Sequence, residues 1–172
     1  PLDYLRYYPY IKLTLQLSQK DKLVASFNYS DYIRHHRGAG VTQTEDTTWN
    51  QTTPIYTYNL QWTRFFSADF FMNAKIAYMN YHLNLTAKNM LPNIYDSILR
   101  LNYQSYGYDD VYSRDRVQFL SDATYFVDDW YGRHEFKAGF ETEFSWDIRD
   151  WRNNRDANGI GPFFYLRNGV PD

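Results

Sequence analysis

The chain has 172 residues, a net charge of -2 at pH 7 and a sequence pI near 6.1. It has no basic excess of the kind that binds nucleic acid, so we expect no nucleic-acid partner. Cysteine is absent, which excludes a disulfide framework and a thiolate metal site. Aromatic residues make up 20% of the chain, and Tyr and Trp suit places where one end of a side chain is apolar and the other is wet.

Six segments alternate between apolar and polar residues with a period of two, which is typical of β-strands with two unlike faces. In chain order they are residues 8–18, 23–33, 53–65, 70–82, 115–127 and 134–149. The last is the clearest, because all of its charged residues share one parity and aromatic residues recur on the other. In the fifth, Leu120 and Phe126 interrupt the polar face. Most of these segments are long for soluble strands, which usually have about 3–10 residues.

The connections between these segments alternate between short and long. Short polar turns occupy residues 18–22, 66–69 and 128–133, and long loops occupy residues 34–51, 83–113 and 151–172. The long loops leave room for a short helix at residues 91–99 and a short seventh strand at residues 163–167. Outer-membrane barrels have short periplasmic turns and long extracellular loops. The sequence therefore predicts an all-β fold: an antiparallel up-and-down transmembrane β-barrel segment of about six strands.

The two faces of the predicted strands differ in chemistry. The apolar face carries almost no charge, as a lipid-facing surface requires, since Arg or Lys at the bilayer midplane costs about 2–4 kcal/mol. On the last strand we expect four side chains to face lipid: Phe136, Phe140, Phe144 and Trp146. Charged side chains of the other face need water, and we expect these to face the barrel lumen: Lys75, Asp122, Lys137, Glu141 and Glu143.

The number of strands is too small for a closed barrel. A membrane barrel needs at least about eight strands, and an open sheet would expose unpaired backbone groups to hydrocarbon. We therefore expect residues 1–172 to be a partial outer-membrane β-barrel domain with no plug domain. The rest of its own barrel would complete the sheet, and closure by oligomerisation is the alternative.

Four stretches carry a family resemblance. They are residues 10–30 and 53–78, which look like strand–turn–strand units; Gly132, His134, Lys137 and Gly139, which match a Gly-x-His-x-x-Lys-x-Gly pattern; and the loop at residues 168–171. Together they resemble TonB-dependent outer-membrane receptors, in particular the Oar-like branch with a carboxypeptidase-regulatory-like N-terminal domain.

The resemblance implies a larger Gram-negative outer-membrane protein with a plugged barrel of roughly 22 strands. Its implied partners are membrane lipid, the rest of its own barrel and plug, the TonB system through the parent protein, and a surface lipoprotein. The implied function is uptake of a nutrient, which is a siderophore, a glycan or a peptide. We expect no enzyme activity and no cofactor. Two alternatives stay open: an outer-membrane anchor or adhesin without transport, and a soluble carbohydrate-binding β-sandwich.

Candidate ligand contacts lie in the predicted extracellular loops, because loops carry binding residues and aromatic rings supply stacking area. They are Trp49, Tyr103, Tyr106, Tyr108 and Asp109. His35 and His36 are adjacent and lack a third ligand at a defined spacing, so we expect no metal site there. Glu141, Glu143 and Asp147 share a face, and lumen lining accounts for them without catalysis.

Overall fold

A computed structural model describes residues 4–128, 130–154 and 163–171. In these residues the protein is all-β, apart from one 3-10 turn at Glu45–Thr47, as the sequence predicts. That part of the chain contains no helix that could serve as a membrane span. The strands are β1 Tyr4–Tyr7, β2 Tyr10–Gln16, β3 Asp21–Arg37, β4 Trp49–Phe65, β5 Phe70–Ala87, β6 Asn93–Asp96, β7 Leu101–Tyr103, β8 Tyr108–Val127, β9 His134–Asn153, β10 Phe163–Arg167 and β11 Val170–Pro171.

The main sheet is antiparallel and follows the chain from one hairpin to the next. Strands β1 and β2 lie end to end along β3, followed by β4, β5, β8 and β9. Pro9 separates β1 from β2 because proline has no amide hydrogen to give to the ladder, although its carbonyl still accepts a bond from the Tyr29 amide at 3.1 Å. The predicted antiparallel all-β architecture is thus confirmed. In the described residues the sheet is not closed, and its edges are β1–β2 and β9.

Most strands run farther than the predicted segments. At the end of the sheet opposite the short turns, β4 starts at Trp49 and β5 continues to Ala87. Strand β8 starts at Tyr108, and its pairing with β9 continues to Asn153. The long loops are therefore shorter than expected, at residues 38–48 and 88–107. The connections still alternate between short turns and long loops.

A second, four-stranded sheet lies in the long loops, in the order β11-β10-β6-β7. Strand β10 pairs in parallel with β6, so residues 163–167 do not add a seventh strand to the main sheet, contrary to the prediction. The predicted helix at residues 91–99 is also wrong. There the chain forms β6 and then turns, because the Asp96 carboxylate accepts hydrogen bonds from the amides of Ile98 and Leu99 at 2.9 and 3.0 Å.

The described residues form almost no hydrophobic core of their own. Among the residues whose burial is described, only Trp49 and Leu85 are buried hydrophobic side chains. The other buried side chains are mainly polar groups such as Thr, Asn, Ser and Asp, and most of them lie at the loop end of the sheet. The main sheet is a single layer, and apart from Trp49 and Leu85 its large apolar side chains are exposed or half-buried.

Candidate functional site

The apolar side chains of the sheet form a continuous surface across all of its strands. Directly opposed residues of neighbouring strands share a face, and the register lines up an apolar row across five strands, which runs through Leu13, Ala25, Leu60, Ile76 and Phe119 and ends opposite Thr142 of β9. We call this surface the apolar belt. Its large members are largely exposed, with Ile76 at 48%.

The four aromatic residues predicted to face lipid all lie on this belt, at the edge strand β9. Phe136, Phe140, Phe144 and Trp146 oppose Tyr125, Ser121, Val117 and Asp115 of β8, in that order. Their exposed fractions run from 47% to 66%. The structure places them on one face, and what covers that face stays a prediction.

The other face of the sheet is held together by polar side chains. A chain of hydrogen bonds crosses three strands: Thr63 donates to Asn73 at 2.8 Å, and Asn73 donates to Asp122 at 3.0 Å. The Lys137 ammonium extends the chain to β9, 3.9 Å from the Asp122 carboxylate. We call this surface the polar face.

The remaining residues predicted to line the lumen lie on the polar face as well. Glu141 accepts a hydrogen bond from Gln118 at 2.6 Å, and Glu143 lies 3.3 Å from the Arg116 guanidinium. Lys75 opposes Gln61 of β4 and Leu120 of β8. The carboxylates are thus held by separate neighbours, which is not the arrangement of an acid–base pair. That the polar face lines a lumen stays a prediction.

Carboxylates also lie on the face of the apolar belt, among them Asp21, which opposes Arg64 at the short-turn end, and Asp115, which escaped the sequence reasoning. Asp115 accepts hydrogen bonds from the Tyr78 hydroxyl and from the Asn80 amide, both at 2.6 Å. These bonds satisfy a charge that would otherwise disfavour an apolar surface. The signal was available, because Asp115 shares the parity of Val117 and Phe119.

The long loops, the small sheet and the residues that adjoin them form a folded unit beyond the sheet, which we call the cap (residues 38–49, 88–108, 154 and 163–171). The cap has a polar core. The Asn154 amide, fully buried, donates to the carbonyls of Asn89 and Leu91, both at 3.0 Å, and to the Ser105 hydroxyl at 3.2 Å. Asn93, also buried, donates to the Ser105 carbonyl at 2.6 Å.

Asp96 ties the distant ends of the cap together. Besides its bonds to the turn that follows β6, it accepts a hydrogen bond from the Gly169 amide at 2.8 Å. The backbone amides, that of Leu99 first, favour the ionised carboxylate and hold the pKa of Asp96 below its usual value. A single side chain thus links two segments more than 70 residues apart.

Three of the five predicted ligand contacts meet in one aromatic cluster of the cap. Trp49 stacks on Tyr106 with 3.3 Å between ring centroids, and the edge of Tyr108 meets Trp49 at 5.6 Å. The Trp49 indole also donates to the Tyr108 carbonyl at 3.0 Å. Trp49 is only 8% exposed, so it supports the cluster from below. Burial raises the pKa of the Tyr106 hydroxyl to about 12.

The other two predicted contacts lie elsewhere. Tyr103 belongs to β7 and pairs with Ile94 in the small sheet. The Asp109 carboxylate accepts a hydrogen bond from the Ala87 amide at 2.7 Å and so joins the ends of β5 and β8. The cluster and these two residues therefore do not form one surface.

A cleft of about 240 Å³ opens beside the aromatic cluster. Its lining is Gln43, Asn93, Asn102, Tyr106, Tyr108 and Phe163. Three amides and three aromatic rings thus meet, and none of the described lining residues is charged. Sequence reasoning found both tyrosines of this cleft. It missed the three amides and Phe163, because these four residues come from four separate segments with no shared pattern.

A second cleft lies on the polar face near the cap and differs in charge. It encloses about 440 Å³ and is lined by Leu83, Asp110, Tyr112, Asp147 and Arg149. Arg149 binds both oxygens of Asp110, at 2.9 and 2.7 Å, and this pairing lowers the pKa of the Asp110 carboxyl. Asp110 and Arg149 are therefore paired with each other, and Asp147 accepts a hydrogen bond from the Tyr112 hydroxyl at 3.2 Å.

The two adjacent histidines bind different neighbours. His36 lies 2.8 Å from a Glu45 carboxylate oxygen, and His35 lies 3.3 Å from the Asn50 amide oxygen. Lys88 also reaches Glu45, at 2.7 Å, and its hydrogen bond is the main reason that the pKa of Glu45 is lowered. Within the described ranges no three His, Asp or Glu side chains are grouped to hold a metal ion.

Comparison with known proteins does not assign the chain to a family. No protein-family model, no curated protein and no solved structure matches the chain.

Proposed function

We propose that this chain is a segment of the barrel wall of a TonB-dependent outer-membrane transporter that takes up a nutrient. The observation that carries the proposal is the uncovered apolar belt. A soluble β-sandwich would need a second layer on this face, and the described residues supply none. Lipid covers such a surface in a membrane barrel, and water meets the polar face in the lumen.

The height of the belt supports a bilayer. On β5 its two border rows cross at Phe70 and at Asn80, which lies in the row of Tyr56 and Trp146; these positions are ten residues apart, which is about 34 Å at about 3.4 Å per residue. Strands tilted by about 40° reduce this to about 26 Å across the membrane, against about 25 Å for the apolar band of outer-membrane barrels.

Aromatic side chains mark both borders of the belt. Phe66 stacks on Phe70 at the short-turn end, with ring centroids 5.1 Å apart. At the cap end Tyr29 packs on Tyr56, with centroids 5.0 Å apart, and Trp146 opposes Asp115. Amphipathic rings at two borders are what the two interfaces of a bilayer favour.

The open edges support the idea of a segment. The edge strand β9 has 20 residues, and one side of it has no partner among the described strands. Unpaired backbone groups are not tolerated in hydrocarbon, so further strands of the same barrel are expected to pair with β9 and with β1–β2. The short turns would face the periplasm and the cap the cell exterior.

Membrane fractionation of the full-length protein tests the proposal. We expect it to stay with the outer membrane in alkaline carbonate and to leave only in detergent, and nutrient uptake to stop when the TonB system is deleted. Release into carbonate without detergent would contradict the proposal that the chain is part of a membrane barrel. Retention without any TonB-dependent uptake would leave an anchor or adhesin instead.

A further inference from the structure

We propose that the cleft in the cap binds one ring of a neutral carbohydrate. The inference deepens the proposed function by naming a ligand class for the cap, and it rests on that function only for the side of the membrane that the cleft faces. It starts from the chemistry of the lining, which combines amide side chains with aromatic rings and has no charge among its described residues.

The size of the cleft limits the ligand. At about 240 Å³ it is smaller than the roughly 300–1,000 Å³ of pockets that enclose drug-sized molecules. A single sugar ring suits this volume, whereas a ferric siderophore is too large. A charged ligand would also lose its hydration without gaining a partner of opposite charge among the described lining residues, which is costly.

The amides suit hydroxyl groups. Each primary amide offers an acceptor oxygen and two donor hydrogens, so one Asn or Gln can bond two neighbouring hydroxyls of a sugar. The buried Gln43 amide oxygen has no hydrogen-bond partner among the described atoms, and a buried acceptor without a partner is unusual. Because this oxygen is shielded from solvent beside Gly38, the Gln43 side chain would have to turn for the oxygen to accept a hydrogen bond from a ligand hydroxyl in the cleft.

The aromatic side of the cleft is held in place before any ligand arrives. Tyr106 is stacked on Trp49, and Tyr108 contacts both Tyr106 and Phe163, at 5.1 and 6.3 Å between ring centroids. Rings of this kind supply apolar area for the C–H face of a sugar, and the tyrosine hydroxyls supply polar contacts. A rigid wall also lowers the entropic cost of binding.

One of the three amides, that of Asn102, can be removed without undoing the fold of the cap. Asn102 is held through its backbone, which donates to the Thr42 carbonyl at 2.9 Å and accepts from the Thr44 amide at 3.1 Å. An Asn102→Ala change therefore keeps this pairing. Asn50→Ala is the matched control, because Asn50 is an exposed amide on β4 outside the cleft.

Saturation-transfer NMR on the full-length protein tests the inference, in a detergent without sugar, such as lauryldimethylamine oxide. The probes are methyl glucoside, methyl galactoside, methyl mannoside, N-acetylglucosamine, glucuronate and the tripeptide Ala-Ala-Ala. We expect at least one neutral sugar to bind and glucuronate to bind more weakly. Asn102→Ala should raise the dissociation constant of the neutral sugar about fivefold, the effect of one lost hydrogen bond. Asn50→Ala should leave that dissociation constant unchanged.

Three results would overturn the inference: no neutral sugar binds, the two variants behave alike, or the tripeptide binds in preference to every sugar. These outcomes are separate from the failure of the proposed function. A protein that stays in the membrane but ignores all sugars refutes only the inference. A protein that leaves the membrane in carbonate and still binds a sugar through Asn102 refutes only the barrel.

Discussion

The assignment of the two faces can be tested with one pair of adjacent substitutions on β9. Phe140 is 62% exposed on the apolar belt, and Glu141 lies on the polar face. Replacing each with Arg adds the same side chain to opposite sides of the sheet. Phe140→Ala is a further control, because it removes the ring without adding a charge.

The size of the effect follows from the height of Phe140 in the belt. It is four residues from Phe136, or about 10 Å from the inner border after correction for a tilt of about 40°. This is close to the middle of the bilayer, where an Arg costs about 2–4 kcal/mol. The equilibrium constant between folded and unfolded protein should fall by roughly 30- to 700-fold, at tenfold per 1.4 kcal/mol.

Glu141→Arg should cost about 1 kcal/mol or less, because it removes one exposed hydrogen bond, from Gln118 at 2.6 Å. The assay is urea unfolding of the full-length protein in lipid vesicles, followed by tryptophan fluorescence and by gel mobility before and after boiling. Equal losses for Phe140→Arg and Glu141→Arg, or a larger loss for the latter, would mean that the faces are wrongly assigned.

Three further predictions concern other features. Asp115→Ala should lower the free energy of unfolding by about 1–3 kcal/mol in the same urea assay, because the Tyr78 hydroxyl loses its acceptor, and Asp115→Asn should recover part of that loss. Gly139→Val should lower the free energy of unfolding by about 1–3 kcal/mol in that assay, and by more than Gly139→Ala does, because a Cβ at Gly139 would lie 3.1 Å from the Ser121 carbonyl oxygen. A Gly139→Val variant as stable as the unaltered protein would show that the backbone of β8 can shift to make room. The raised pKa of Tyr106, about 12 against a usual 10.0, means that its contribution to stability is complete below pH 10.0 and is lost as pH rises to about 12. Tyr106→Phe should remove the highest-pH phase of tyrosinate absorbance and that pH dependence, and an unchanged absorbance titration would contradict the burial of its hydroxyl.

The strands could be predicted from sequence because each has one apolar and one polar face. A period of two is visible wherever only one face is apolar. Beyond the belt this contrast fades, as at residues 83–87 of β5, where the structure buries Leu85 and pairs it with Asp110 on the polar face. The outer ends of the strands were therefore not apparent from the pattern.

The cap could not be predicted, since its pairings are made between distant segments. Strand β6 is only four residues long and pairs with β10, about seventy residues later, and such short segments have no periodicity to read. The prediction of a helix at residues 91–99 was wrong because the Asp96 carboxylate accepts hydrogen bonds from the backbone of a turn. The cleft shares this origin, for Gln43, Asn93 and Asn102 meet only once the small sheet has formed.

The parallel pairing of β6 with β10 also sets an order of folding. The β8–β9 hairpin, held by a ladder from Tyr108 to Val127, spans most of the chain between the two short strands. Closing so long a loop before the hairpin forms costs entropy that a four-residue contact cannot repay. The cap is therefore expected to form last, after β10 has been synthesised and the strands of the β8–β9 hairpin have paired. Any binding that depends on the small sheet would then appear only at the end of folding. A chain in which the β8–β9 hairpin is misplaced would therefore lack that binding.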